Sequence, residues 1–175
     1  SQKKDPAHMY ENPGTYTVVL IVTSEAQGKD TTSQNITVYP NPVPDFTAPE
    51  VCDGHPTEFI NNSSIAFGKI TSFTWDFGDG SNSIQETPVK QYLNPGKYEV
   101  NLTAVSDKNC VADTQHTAII RKSPIADFEV ENECYGDAIQ IHNKSSCDEG
   151  SLTYYWDLGD GSNSVRTEPE HLYSQ

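Results

Sequence analysis

Short segments of this chain alternate between apolar and polar residues, which is the pattern of β-strands with one buried face. Every second residue is apolar in the segment 98–104, and the same period of two holds over 73–77 around Trp75. Further strand candidates are 43–47, 57–61, 88–92 and 114–120. About seven short strands in roughly 82 residues predict a two-sheet β-sandwich.

An internal repeat sets the domain organisation. The segment from Trp75 to Ser83 recurs from Trp156 to Ser164, 81 residues later with one substitution, and segments further upstream recur at 82. A third copy is visible by its tail, because 10–16 matches 92–98. We therefore divide the chain into the end of one copy (1–39), a whole second copy (40–122) and the start of a third (123–175). We expect it to be a window of a longer protein.

The copies predict matching inward positions. In the first copy the inward residues are Tyr16, Val18, Leu20 and Val22. In the third copy they are Tyr154, Trp156 and Leu158. Two turns agree with these strands. Asn94-Pro95-Gly96-Lys97 has the chemistry of a type II turn, and the run from Asp76 to Gly80 predicts a tight bend capped by Asp side chains.

Composition and charge exclude several classes of protein. The chain has 11 Pro and 11 Gly, which disfavours long helices. Its net charge of −14 repels phosphate backbones, so we expect no nucleic-acid partner. The longest apolar run, 18–22, is far shorter than the ~20 residues of a membrane-spanning helix. We expect no span in this segment.

No constellation in the sequence predicts catalysis, a cofactor or a metal site. Asp76 and Asp79, repeated as Asp157 and Asp160, form turn caps, a catalytic pair or a calcium site, and no His or Cys lies near them at catalytic spacing. We favour caps, because no twelve-residue calcium loop with a closing Glu is present. The five His residues are scattered and fit no zinc-protease spacing. We therefore expect that the chain is not an enzyme.

These motifs resemble the PKD (polycystic kidney disease) domain, with a Trp-Asp-Phe-Gly-Asp-Gly signature followed by Tyr and Pro-Gly-x-Tyr. The residues that carry the resemblance are Trp75, Asp76, Gly78, Asp79, Gly80, Tyr92, Pro95, Gly96, Tyr98, Trp156, Asp157, Gly159, Asp160 and Gly161. The resemblance implies all-β, immunoglobulin-like, extracellular domains in tandem. The positions of the cysteines are also similar to repeats in Bacteroidota surface proteins, including gliding-motility adhesins and cargo of type IX secretion.

Four cysteines in an extracellular context predict disulfides, with three possible connectivities. Repeat logic favours Cys52–Cys110, whereas the ends of an immunoglobulin-like sandwich favour a bridge between copies, Cys52–Cys147. A Cys134–Cys147 bridge is disfavoured, because a strand of roughly 23 Å should separate the two residues.

Three hypotheses for function follow from this resemblance. The first is a spacer array of a cell-surface adhesin, whose partners are neighbouring repeats and also other surface proteins or polysaccharide. The second is an accessory region of a secreted hydrolase. The third is a scaffold subunit of an outer-membrane motility or secretion machine. All three place the chain outside the cell, and the first and third place it at the outer membrane of a Gram-negative bacterium.

Overall fold

The computed structural model describes residues 4–131, 133, 134 and 136–173, and these residues form β-strands, turns and loops. The predicted all-β class is confirmed. In chain order the strands are β1 (Gly14–Thr23), β2 (Lys29–Val38), β3 (Phe46–Thr47), β4 (Val51–Cys52), β5 (Pro56–Glu58), β6 (Ile60–Asn61), β7 (Ile70–Asp76), β8 (Asn82–Ser83), β9 (Val89–Gln91), β10 (Gly96–Ser106), β11 (Val111–Arg121), β12 (Phe128–Val130), β13 (Ile139–Asn143), β14 (Trp156–Asp157), β15 (Asn163–Ser164) and β16 (Glu170–His171). No helix of the described residues is long and apolar enough to cross a membrane.

The chain divides into two compact units. The first unit comprises residues 1–49, 56–90 and 97–119. The second comprises 50–55, 91–96 and 120–175. The end of the second sequence copy and the start of the third therefore belong to the same compact unit.

The first unit is built on an antiparallel sheet in the order β11-β10-β7-β8. Strand β10 alternates strictly, so Val100, Leu102 and Ala104 are fully buried. Leu102 lies directly opposite Trp75 of β7, whose side chain is also fully buried. The period of two in the sequence thus becomes the inward face of this sheet.

Short strand pairs supply further core residues of the first unit. Strand β3 pairs with β6, and β5 pairs with β9. Phe46 on β3 and Phe59 between β5 and β6 are buried. Their rings lie 5.0 and 5.7 Å from that of Trp75. These offset ring contacts form an aromatic core around the tryptophan.

The β1–β2 hairpin of the first copy departs from the burial expected for its inward positions. The two strands pair in register from Gly14↔Val38 to Thr23↔Lys29. Val18, Leu20 and Val22 are nevertheless 46%, 58% and 51% exposed. The face that these positions share is therefore uncovered in this structure, in which the described residues give the hairpin as a two-stranded sheet of its own.

The turn before β10 also differs from its predicted type. A type II turn needs a φ of about +80° at its third residue. Gly96 has φ 157°, and Gly14 at the matching place in the first copy has φ 156°. Both glycines are nearly extended and begin a strand, β10 and β1, so the Pro-Gly pair starts a strand rather than forming a type II turn.

The second unit contains smaller sheets. Strands β12, β13 and β16 form one sheet, and β14 pairs with β15. Strand β4 pairs in parallel with the end of β11, where Ile120 faces Val51 and Arg121 faces Cys52. Among the described residues of the third copy, Ile141 and Leu158 are buried, at 6% and 8% exposure, and Pro169 is buried as well.

Candidate functional site

The signature segment of the first unit forms a tight turn held by its own carboxylates. Asp76 Oδ1 accepts a hydrogen bond from the backbone N–H of Gly78 at 3.0 Å. Asp79 accepts from both the N–H and the hydroxyl of Ser81. The Phe77 N–H donates to the Ser81 carbonyl at 3.1 Å. These carboxylates therefore cap the backbone of the turn, which is the role that Asp favours in bends.

Gly78 lies where no side chain fits. Its φ is 73°, a left-handed conformation that favours glycine. A Cβ at this position would approach the Glu99 carbonyl oxygen to 2.6 Å. The glycine therefore allows the turn to lie directly against β10.

The same turn is repeated in the second unit. Asp157 accepts from the Gly159 N–H at 3.0 Å, and Asp160 accepts from Ser162. The indole Nε1 of Trp156 donates to the Arg166 carbonyl at 2.8 Å. In the first unit, Trp75 donates to Gln85 at the same distance. Each Trp is thus tied to the segment ten residues after it.

The second carboxylate of each turn also contacts a basic side chain. Lys90 Nζ lies 2.7 Å from Asp79 Oδ2, and His171 Nε2 lies 2.8 Å from Asp160 Oδ2. Burial raises the pKa of Asp79, but hydrogen bonds from Lys90 and Ser81 outweigh it and lower the pKa to about 2. Hydrogen bonds from Ser162 and then His171 hold the pKa of Asp160 well below its usual range.

Ser162, His171 and Asp160 are the three residue types of a hydrolase triad, but their geometry differs from one. The Ser162 hydroxyl and the Asp160 carboxylate both contact the same imidazole nitrogen, Nε2. A triad needs the serine and the carboxylate on opposite ring nitrogens, so that the base is oriented and can accept the proton. The cluster therefore serves the turn and has no nucleophile–base relay.

The described residues contain no group of three or more His, Cys, Asp or Glu side chains that could hold a metal ion. The repeated carboxylates Asp76, Asp79, Asp157 and Asp160 bond to the turns and to neighbouring side chains as described above. This geometry agrees with the capping role favoured from the sequence.

An Asn clamp, which the sequence analysis did not identify, also recurs in both units. Asn61 donates from Nδ2 to the Glu86 carbonyl at 3.1 Å and accepts from the Ser63 N–H at 3.0 Å. Asn143 makes the equivalent bonds to Thr167 and Ser145, at 3.1 and 2.9 Å. The repetition of Asn-x-Ser-Ser at a spacing of 82 was the available signal.

The segment at the predicted boundary between the second and third copies is bonded on several sides within the second unit. The Ser123 N–H donates to Asp53 Oδ1 at 2.6 Å, and its hydroxyl donates to the Asp53 carbonyl at 3.2 Å. Hydrogen bonding from Ser123 lowers the pKa of Asp53. Arg121 donates twice to Glu50, at 2.9 and 2.7 Å, and the Asp53 N–H donates to the Arg121 carbonyl.

The four cysteines are free thiols in this structure, so neither Cys52–Cys110 nor Cys52–Cys147 is bridged. Cys134 is exposed and the other three are partly buried. The Cys147 thiol contacts the Gly150 carbonyl at 3.7 Å. The predicted disulfides are not confirmed and stay predictions.

Comparison with known proteins gives a consistent family. The model of the PKD domain family matches residues 1–38 and 39–120. A microbial collagenase of Vibrio alginolyticus is 44% identical over 59 residues, which is 34% of this chain and 7% of that protein. Collagenase ColA of Clostridium perfringens is 31% identical over 102 residues, 52% of this chain and 9% of that protein. The matching segments therefore span less than a tenth of these relatives.

A metalloprotease and a solved PKD domain give further matches. The pre-pro-metalloprotease PrtV of Vibrio cholerae is 39% identical over 66 residues, 38% of this chain and 7% of that protein. The solved PKD1 domain of Vibrio anguillarum Epp is 31% identical, covering 47% of this chain and 96% of that domain, with a TM-score of 0.44. These relatives do not confirm the Bacteroidota context expected from the cysteine positions.

A repeated sequence, an all-β architecture and a carboxylate-capped turn present in both units define an array of related β-modules. The family match covers well over half of the sequence. The chain belongs to the PKD domain family.

Proposed function

We propose that this chain is a non-catalytic, extracellular array of PKD domains that acts as a spacer and contact region within a larger bacterial protein. The hydrolase-accessory role is favoured over an adhesin or a scaffold of a secretion machine, because the curated relatives are collagenases and a metalloprotease. In such a protein the array would hold a catalytic domain at a set distance from other domains or from its substrate.

The observation that carries the spacer role is the bonded boundary between the second and third copies. A flexible linker would leave 120–123 in solvent with few partners. Instead, β4 pairs with the end of β11, and Asp53 binds both polar groups of Ser123. Proline at position 124 further restricts the backbone there. Such a boundary resists bending, which is what a spacer requires.

The repeated acidic residues support a structural role rather than a catalytic one. Their carboxylates bond to the turn backbone in both units. Catalytic carboxylates instead direct an oxygen towards substrate space, commonly with a pKa raised towards the working pH. Here the pKa of Asp79 is lowered. We therefore assign catalysis to other domains of the full protein.

Spin-label distance measurement tests the spacer role. Leu93 and Val165 are 77% and 73% exposed and both belong to the second unit. In a variant with the four native cysteines replaced by serine, Leu93→Cys and Val165→Cys would carry the labels. We expect one narrow distance distribution that broadens when Asp53→Ala removes the Oδ1 that accepts the hydrogen bond from the Ser123 N–H. A broad distribution in the parent would contradict the proposal, and a melting curve of the cysteine-free parent is the folding control.

A further inference from the structure

We infer that consecutive copies recognise each other through one matched residue pair, which is aromatic at the first boundary and ionic at the second. The first member is the last residue of a copy's final strand region, Tyr39 or Arg121. The second lies in a loop of the following copy, Phe67 or Glu149. Tyr39 and Arg121 are 82 residues apart, and so are Phe67 and Glu149.

The loop positions are equivalent in structure as well as in sequence. An isolated bridge joins Val43 to Ser64 just before the first loop, and another joins Ile125 to Ser146 before the second. Each loop then reaches a glycine with positive φ, Gly68 at 94° and Gly150 at 86°, after Phe67 and Glu149 respectively. The single deletion in the third copy therefore falls after these loops, and Phe67 and Glu149 are true counterparts.

The first boundary is an aromatic contact inside the first unit. The rings of Tyr39 and Phe67 lie 6.5 Å apart, centroid to centroid, with their planes tilted by 53°. Lys108 Nζ lies 5.4 Å from the Tyr39 ring centroid, within the range of a cation–π contact. Tyr39 and Phe67 are 44% and 42% exposed. The two aromatic side chains therefore meet at the surface, where each is partly buried.

The second boundary is an ionic contact inside the second unit. The Arg121 guanidinium pairs with Glu149, and it also donates to Glu50 of its own copy. Lys122 Nζ lies 3.3 Å from an Asp148 carboxylate oxygen, so the neighbouring residues form a second ion pair of the same polarity. Basic residues at the end of one copy thus face acidic residues in the loop of the next.

Exchanging one residue between the two boundaries removes the native pair at either place. An arginine at position 39 would meet a phenylalanine without a carboxylate, and a tyrosine at position 121 would leave Glu149 without its guanidinium partner. Specificity between related interfaces arises from such mismatches as much as from favourable contacts. The inference deepens the proposed spacer function, since matched boundaries would fix which copy can follow which.

Amide hydrogen exchange of the full chain tests the pairing in variants that replace one member or both members of a residue pair. The first-boundary variants are Tyr39→Arg, Phe67→Glu and the double variant, and the second-boundary variants are Arg121→Tyr, Glu149→Phe and their double. Amide exchange is followed by mass spectrometry in peptides spanning 38–45, 64–70, 119–126 and 146–152. We expect each single substitution to speed exchange at its own boundary about two- to five-fold, the range of a surface pair. The first-boundary double variant should return towards the parent rate. The second-boundary double variant should recover only in part, because Arg121→Tyr also removes the two hydrogen bonds to Glu50.

Salt separates the two chemistries. Raising NaCl from about 0.05 to 1 M should speed exchange at the second boundary, because partly exposed ion pairs are screened, and should change the first much less. A rematched ionic pair at 39 and 67 should acquire the salt response. Additive single and double effects, or equal salt responses at both boundaries, would overturn the pairing. A narrow spin-label distance distribution together with additive substitution effects would refute the residue pairing and leave the spacer role standing. A broad distance distribution would refute the spacer role.

Discussion

Replacing Trp75 by alanine should nearly unfold the first unit. The side chain is fully buried, and its ring has three aromatic neighbours, Phe46, Phe59 and Phe77. A buried aromatic removes ~150–250 Å² from water, which at about 25 cal/mol per Å² corresponds to roughly 4–6 kcal/mol. Measured truncations of this kind cost about 3–5 kcal/mol. A domain has only about 5–15 kcal/mol in total, so most of the stability is removed.

The two tryptophans of the chain allow each unit to be followed by itself. In a Trp156→Phe variant the fluorescence reports Trp75 in the first unit. In both Trp75 variants Trp156 is the remaining tryptophan and reports the second unit, so the first unit is followed there by the circular-dichroism transition that the fluorescence does not share. Urea melts of the full chain would use circular dichroism together with these signals. Trp75→Ala should lower the urea midpoint of the first unit by most of its value. The Trp156 signal should change far less.

Trp75→Phe is the matched control, because it keeps a ring in the core and removes the hydrogen bond from Nε1 to the Gln85 carbonyl. We expect it to cost about 1–3 kcal/mol, from that bond and the lost volume. If Trp75→Ala left the midpoint of the first unit unchanged while abolishing contact with a glycan or a surface, the tryptophan would be a binding platform. The core-anchor argument would then be refuted.

Four other outcomes follow from the turns, the Asn clamp and the acidic residues. Gly78→Ala should cost about 2–5 kcal/mol, because its Cβ would meet a backbone carbonyl at 2.6 Å as well as needing positive φ, whereas Gly159→Ala has open space and should cost only about 1–2 kcal/mol in chemical melts. Asn61→Ala should cost about 1–3 kcal/mol through two lost hydrogen bonds, and the adjacent Asn62→Ala should stay within about 0.5 kcal/mol. The lowered pKa of Asp79 stabilises the folded state at pH values above 3.8, the ordinary pKa of this group, and this stabilisation is lost as the pH falls towards 2. The acid-induced fall in melting temperature between pH 4 and 2 should therefore be smaller in Asp79→Asn. Excess EDTA after calcium should leave the melting temperature unchanged, and a drop of many degrees would show that the acidic turns bind metal.

The sequence predicts the features of this fold that depend on local chemistry. The period of two located β7 and β10, 114–120 was a further strand candidate that lies within β11, and the repeat located the capped turn in both units. The conformation before β10 escaped prediction, because Pro-Gly suits both a type II turn and an extended start to a strand, and pairing along β10 selects the second. The Asn clamp escaped because its partner carbonyls lie about 25 residues away along the chain.

Boundary contacts were also beyond sequence reasoning, for a related reason. Arg121 and Glu50 are 71 residues apart, and only the parallel pairing of β4 with the end of β11 brings them together. The repeat spacing could have aligned Tyr39 with Arg121 and Phe67 with Glu149. The spacing does not show that Tyr39 contacts Phe67 or that Arg121 contacts Glu149. Periodicity identifies equivalent residues, whereas tertiary packing decides which of them are partners.

The two tryptophans separate what the signature achieves locally from what the whole sandwich adds. Trp75 and Trp156 donate equivalent hydrogen bonds at 2.8 Å and precede equivalent turns. Trp75 is nevertheless fully buried, whereas Trp156 is only partly covered. The difference lies in β10, which pairs with β7, while the described residues give β14 only β15 as a partner. The turn therefore forms from its own residues, but the tryptophan becomes a core anchor only where a strand equivalent to β10 covers it.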